Sequence, residues 1–255
     1  MLTSLSQIPR GNTARGVNRA IIEFLLESGK TRDGQVMLDI PCGSGSLVAT
    51  LRDFFPKSLV RGCDVQMPES LSADNFALVD ASQPFRVFAQ TKFDVVLSVI
   101  GVMEFDNTLQ FFEQCRQHLN EEGVFVVTND NVVSIRDRLS YFWLGKVRPY
   151  HMFAAQGQPT WKVIPIYNLV RLLQDAGFKI NEIRYASVRP KDYLVLPLAL
   201  LVYPVQFLYM QFAKNRMPVA PCGMRCIRFA RFCIAITSWR AKRRTSQSVQ
   251  PLNFR

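Results

Sequence analysis

Short apolar runs alternate along this chain with longer stretches in which apolar residues recur every three or four positions. The clearest short run is Val36-Met37-Leu38-Asp39-Ile40, bounded by Gly34 and by a turn holding Gly43 and Gly45. Its length and unbroken apolar character predict a central parallel strand. Behind the turn, Leu47, Val48, Leu51 and Phe54-Phe55 repeat at helical spacing until Pro56. Runs at 58–65, 76–81, 93–100 and 124–129 predict further strands, and Leu109, Phe112, Cys115 and Leu119 mark a helix that ends before Gly123. Upstream, Asn12 and Thr13 are candidate caps of a helix running to Ser28 with Gly29 as its stop, preceded by a mobile lead-in over 1–11. Downstream, 167–176 predicts a helix stopped by Gly177, and 179–188 a sixth strand. This alternation predicts an α/β fold of Rossmann-like form, a doubly wound, mostly parallel sheet with helices on both faces.

Two stretches break the alternation. Residues 131–165 begin with a mixed apolar and basic pattern over 132–144, which predicts an amphipathic helix and a lid-like insert beside the carboxyl edge of the sheet, where His151 follows in a loop. Residues 193–213 carry no charge, and basic residues flank them on both sides: Arg189 and Lys191 before, Lys214 and Arg216 after. The length would suffice to cross a bilayer, but basic residues at both ends resist translocation. The expectation is a C-terminal apolar helical insert over 191–231, a helix pair kinked at Pro197 and Pro204 that lies on a membrane without spanning it. The core is expected over 1–190 and a disordered basic tail over 243–255.

The net charge of +11 divides unevenly: up to Asp130 there are 11 basic and 16 acidic residues, and beyond it 20 and 4, so net −5 is followed by net +16. The second half therefore faces something anionic, whether a membrane surface, a nucleic acid or a phosphorylated substrate. The six cysteines show neither a disulfide framework nor a zinc spacing, no metal is expected, and Cys222 and Cys226 are read as packing residues. No signal-peptide pattern is visible, which suits a cytoplasmic protein.

The turn after the first strand narrows the chemistry. It lacks the third glycine of a dinucleotide fingerprint, because Val48 stands there, and it lacks the Gly-Lys-Ser/Thr of a phosphate loop. What remains is an acid, Asp39, before a glycine turn with no cation to receive a phosphate, which suits a cofactor without phosphates. Asp64 ends the next strand about 25 residues later, near the spacing that sets a carboxylate on ribose hydroxyls.

The run Leu-Asp-Ile-Pro-Cys-Gly-Ser-Gly-Ser-Leu resembles the first motif of class I S-adenosylmethionine-dependent methyltransferases, with Pro41 where that family usually has glycine. Phe93-Asp94-Val95-Val96-Leu97 resembles a second motif, and the likeness is to the small-molecule branch of the ubiquinone-biosynthesis kind. The resemblance implies that Asp39, Gly43 and Gly45 hold the amino-acid end of S-adenosyl-L-methionine, and that Asp80, with Ala81, receives the adenine amine. Ser98, on the fourth strand, belongs to the same implied cofactor site. It also implies that 232–242 is the last, antiparallel strand of the sheet. Glu104 matches the acid of the family's Glu-His pair, but Phe105 replaces the histidine, so that histidine's role does not carry over. His151 is then the candidate general base, and Glu104 a group that orients acceptor or cofactor. The function expected is O-methylation of a lipophilic or lipid-linked small molecule by a protein peripheral to the inner face of the membrane. A nucleic-acid methyltransferase, disfavoured because no nucleic-acid module is present, and a non-catalytic cofactor-binding partner protein stand as alternatives.

Overall fold

A computed structural model of the chain describes residues 4–11, 13, 16–29, 31–147, 162–186, 190–213 and 232–238. The elements follow in order as α1 (Val17–Glu27), β1 (Val36–Asp39), α2 (Ser46–Phe54), β2 (Leu59–Asp64), β3 (Phe76–Leu78), β4 (Phe93–Val99), α3 (Thr108–His118), β5 (Leu119–Asp130), α4 (Ile135–Leu144), α5 (Ile166–Asp175), β6 (Lys179–Ala186), α6 (Leu196–Ala213) and β7 (Phe232–Ser238). Together the strands form a seven-stranded sheet in the order β3-β2-β1-β4-β5-β7-β6. Strands β1 to β5 pair in parallel, and β7 runs antiparallel to both β5 and β6.

The unbroken apolar runs have a direct structural reason. Successive side chains of a strand point to opposite faces, and here each face has its own core. Met37, Val95, Leu97 and Val126 join Ile21, Ile22 and Leu25 of α1 and Val48 and Leu51 of α2. Leu38, Val96, Phe125 and Val127 join Phe111 and Phe112 of α3 and Leu169 and Leu173 of α5 on the other face. Neither side of the central strands meets water, so no polar alternation is required.

Several expectations are corrected. The cap of α1 is Gly16, with φ +87°, and not Asn12 or Thr13. The lead-in is ordered from Ser4 to Gly11, with a short 3-10 turn at Leu5–Gln7. Strand β5 begins at Leu119, five residues earlier than its apolar run, because Leu119 pairs with Phe93. Asp94 supports that start: its Oδ1 accepts from Asn120 Nδ2 at 2.6 Å and its Oδ2 from the Val36 N–H at 2.9 Å. His118 is a core residue. Its Nε2 accepts from the Val87 N–H at 3.3 Å, its ring stacks on Phe85, and burial lowers its pKa. Pro197 does not kink a helix but sits in the first turn of α6, where its missing N–H costs nothing, and Pro204 lies inside the helix. A 3-10 turn at Pro190–Val195 leads into α6. At 18 residues α6 is about 27 Å long, short of a bilayer's roughly 30 Å hydrocarbon core. Among the described residues no helix is long and apolar enough to cross a membrane. Residues 214–231 with Cys222 and Cys226, the tail 243–255 and His151 lie outside the described residues.

Candidate cofactor cleft

The cleft forms at the carboxyl ends of β1, β2 and β4. The turn from β1 to α2 supplies its floor, where Gly43 (φ +53°) and Gly45 (φ +72°) take left-handed conformations that only glycine adopts without strain. Gly45 has a second reason to lack a side chain, since a Cβ there would strike Ser70 Oγ and come within 3.2 Å of Leu71.

Asp64 locks the turn to β2. Its Oδ2 accepts from the Gly43 N–H at 2.7 Å and its Oδ1 from the Val65 N–H at 2.7 Å. Each carboxylate oxygen can accept a second donor, so hydroxyl groups in the cleft still find an acceptor here. Asp39 differs in kind. It is buried, and its Oδ1 has no hydrogen-bond partner among the described residues. Burial first, and the nearby Asp64 charge second, hold its carboxyl well above the usual carboxylate range. Burial, with Asp39 adding to it, pushes the Cys42 thiol far up and the Cys63 thiol to about 12, which disfavours the thiolate.

The opposite wall comes from the end of β4. Ile100, a β-branched residue, has φ +63°, a strained conformation held by its N–H donating to Thr128 Oγ1 at 3.0 Å. Next to it, Gly101 accommodates Pro41: a Cβ at 101 would lie 2.6 Å from Pro41 Cγ. The N-terminal segment closes the third side. Asn18 Nδ2 donates to the Pro9 carbonyl at 3.2 Å, Thr13 Oγ1 to the Arg10 carbonyl at 2.7 Å, and Gly11 lies against Ser46 of α2. The cleft is partly open and has a volume of about 290 Å³, lined by Asp39, Gly43, Asp64, Glu104, Thr13, Asn18, Pro41, Ile100 and Gly101 among others.

The sequence-predicted residues divide accordingly. Asp39, Gly43, Asp64 and Glu104 meet in the cleft, and Gly45 shapes its floor. Glu104 is exposed on the turn between β4 and α3. Asp80 does not line the cleft: β3 stops at Leu78, the Val79 N–H donates to the Asp64 carbonyl at 2.8 Å, and Asp80 stands exposed one residue farther along, its Oδ1 accepting from the Ser82 N–H. Ala81 belongs to the core and Ser98 is fully buried within β4, so neither lines the cleft. Phe105, in place of the expected histidine, is also a core residue, its ring centroid 4.2 Å from that of Phe111. Thr13, Asn18, Ile100 and Gly101 were not anticipated.

Residues 12–183 match the model of a family described as a methyltransferase domain. The chain belongs to this methyltransferase family. An uncharacterised protein of Methanocaldococcus jannaschii is 25% identical to it over 119 residues, which span 46% of this chain and 45% of that protein, less than half the length of either. Solved structures share the methyltransferase fold at low identity. The 1,6-didemethyltoxoflavin-N1-methyltransferase of Burkholderia thailandensis, solved with S-adenosylhomocysteine, is 14% identical with a TM-score of 0.54, covering 89% of this chain and 77% of that one. The [4+2]-cyclase SpnF is 14% identical with a TM-score of 0.53, covering 88% and 81%. Phosphoethanolamine N-methyltransferase 2 of Haemonchus contortus is 15% identical with a TM-score of 0.53, covering 92% and 55%. S-adenosylmethionine is the cofactor of this class of methyltransferase.

Proposed function

We propose that this methyltransferase O-methylates a lipophilic or lipid-linked small molecule at the cytoplasmic surface of a membrane, with S-adenosylmethionine as donor. One observation carries the cofactor half of the reading: Asp39 is a buried carboxyl with an unmatched oxygen, in a cleft floored by a glycine turn and flanked by Asp64. A buried acid of this kind calls for a cation or donor from a ligand. S-adenosylmethionine fits, because its ammonium answers Asp39, its carboxylate the backbone of the Gly43–Gly45 turn and its ribose hydroxyls Asp64. In this reading the adenine end extends past Asp64, beyond the residues that line the cleft, toward the exposed Asp80. When bound, the cofactor supplies a methyl group already activated on a sulfonium sulfur. The protein's share is then to hold the acceptor in line, exclude water and, for a hydroxyl acceptor, take a proton.

His151 is proposed as that base and Glu104, exposed at the cleft, as an orienting group. His151→Ala should lower turnover about a hundredfold while S-adenosylmethionine affinity, measured by calorimetry, stays as it was. Near-normal turnover on the true acceptor would remove the assignment.

The membrane half rests on α6. Leu201, Val205, Leu208, Tyr209 and Phe212 recur at helical spacing and are all exposed, on a helix without a single charge. With cations on both sides in the sequence, this pattern suits a helix lying in a bilayer interface. Phosphate tracking would need no such apolar stripe, which argues against a nucleic-acid substrate. Flotation with anionic vesicles, at low and high salt and after removal of 193–213, tests the reading, and a chain that stays out of the vesicle fraction at low salt would refute it. A non-catalytic, cofactor-binding role is favoured only by Phe105 in the core, and a turnover assay with candidate acceptors separates it.

A further inference from the structure

Helix α4 ends in Tyr141-Phe142-Trp143-Leu144, and all four side chains are exposed, Phe142 and Trp143 by 77% and 75%. Four consecutive residues point to every side of a helical turn, so no rotation of α4 about its axis could bury them on the protein's own core. The helix is seated instead by its beginning. Ile135 and Asp137 are buried, and the Ser134 side chain caps the first turn by accepting from the Asp137 N–H at 3.2 Å. Gly145, at φ +65°, then stops the helix, leaving an apolar tip with Arg138 exposed one turn behind it and Lys146 just after it. The tip is not isolated, because α4 packs on the 3-10 turn at Pro190–Val195 that leads into α6, where Tyr193 and Leu194 are exposed as well.

We propose that the tip of α4 is a second membrane-inserting element, set beside α6 so that the protein meets an anionic bilayer at two points of one surface. The inference rests on the membrane reading of α6. The occupant is argued from chemistry: Trp and Tyr favour the headgroup level, Phe and Leu the acyl boundary, and the neighbouring cations complement anionic lipid. Since α4 leaves the carboxyl edge of β5, the edge that also carries Ile100 and Gly101 of the cleft, the two-point mount turns the acceptor's entrance toward the bilayer.

The full chain carries three tryptophans. Trp161→Phe with Trp239→Phe leaves Trp143 as the sole reporter. With phosphatidylcholine–phosphatidylglycerol vesicles its emission should shift to the blue and be quenched by brominated acyl chains. In the otherwise native chain, Phe142→Ser with Trp143→Ser should lower vesicle partitioning roughly tenfold or more, with S-adenosylmethionine affinity unchanged as the control for folding. Vesicle flotation with Trp143 neither shifted nor quenched would overturn the role of α4 and leave that of α6 standing. Failure of the full chain to float would remove both. A blue shift that needs no vesicles, rises with protein concentration and accompanies a doubled mass in sedimentation would assign the surface to a second copy of the chain and overturn the proposal.

Discussion

Leu97, in the middle of β4, is fully buried, whereas Phe212, near the end of α6, is 82% exposed, and the two residues stand for regions built on different terms. In the sheet, apolar side chains fill two cores and polar ones are hydrogen-bonded within the fold: Asp64 accepts from the Gly43 and Val65 N–H groups at the carboxyl edge, and Asp94 from the Val36 N–H and the Asn120 side chain at the amino edge. At the tip of α4 and along α6, by contrast, large apolar side chains such as Trp143 and Leu201 are exposed. In the first region the buried Asp39 Oδ1 is without a hydrogen-bond partner among the described residues. An exposed apolar surface of this kind is what interaction sites present.

Truncating one aromatic in each region should give the largest difference. Phe125→Ala should destabilise the fold by about 3 to 5 kcal/mol, because it opens a cavity in the core, while Phe212→Ala should stay within about 0.5 kcal/mol. Urea unfolding of both variants checks this, and a large cost for Phe212→Ala would mean that α6 is core after all. Next in size, Asp64→Ala should weaken S-adenosylmethionine binding by about 1.5 to 3 kcal/mol, roughly tenfold to a hundredfold in calorimetry. Unchanged affinity would take Asp64 out of the site.

The third effect is one of pH. Since the folded-state pKa of Asp39 lies above its unfolded value, its contribution to apo stability is full below the ordinary carboxylate range and is lost as pH rises through the folded pKa. A ligand ammonium favours the ionised form, so binding in that window should release a proton. Affinity should then climb with pH by up to about 1.4 kcal/mol per unit and level off above the folded pKa. Calorimetry in two buffers of different ionisation enthalpy reads the proton, and Asp39→Asn should abolish the release. The smallest effect concerns the ion pair between Arg184 of β6 and Glu27 of α1, 2.7 Å long and partly exposed, which joins the late part of the chain to the early part. Arg184→Ala should cost less than about 1 kcal/mol in the same urea assay.

The sheet was legible because Val95-Val96 and Phe125-Val126 feed opposite cores, and that demand leaves an apolar run in the sequence. Asp39, Asp64 and the glycine turn were legible because they close those runs. Pairing across long sequence separations was not. Nothing near Leu119 signals that Phe93 draws it into β5, nothing near Gly101 that Pro41 will press on it, and nothing in the lead-in that it will be held against Ser46. Asp80, Ala81 and Ser98 were inferred from similarity of motif, and the backbone sets them off the cleft: β3 ends early, Ala81 turns into the core, and Ser98 lies within β4. The tip of α4 did carry a signal, since four consecutive apolar residues cannot share one face of the amphipathic helix expected there.

The position of β7 between β5 and β6 has a consequence for how the protein is made. Translation delivers β1 to β5 first, and these five parallel strands can assemble with α1, α2 and α3 while the rest is still emerging. The outer edge of β5, from Val124 to Asp130, then waits with unpaired N–H and C=O groups until Phe232–Ser238 arrives, and β6, which touches the sheet through β7, has no seat before that. During this interval the nascent chain carries both an open strand edge and the uncharged α6, a combination that invites aggregation. The open edge of β5 is thus most vulnerable in the time between the emergence of α6 and that of β7.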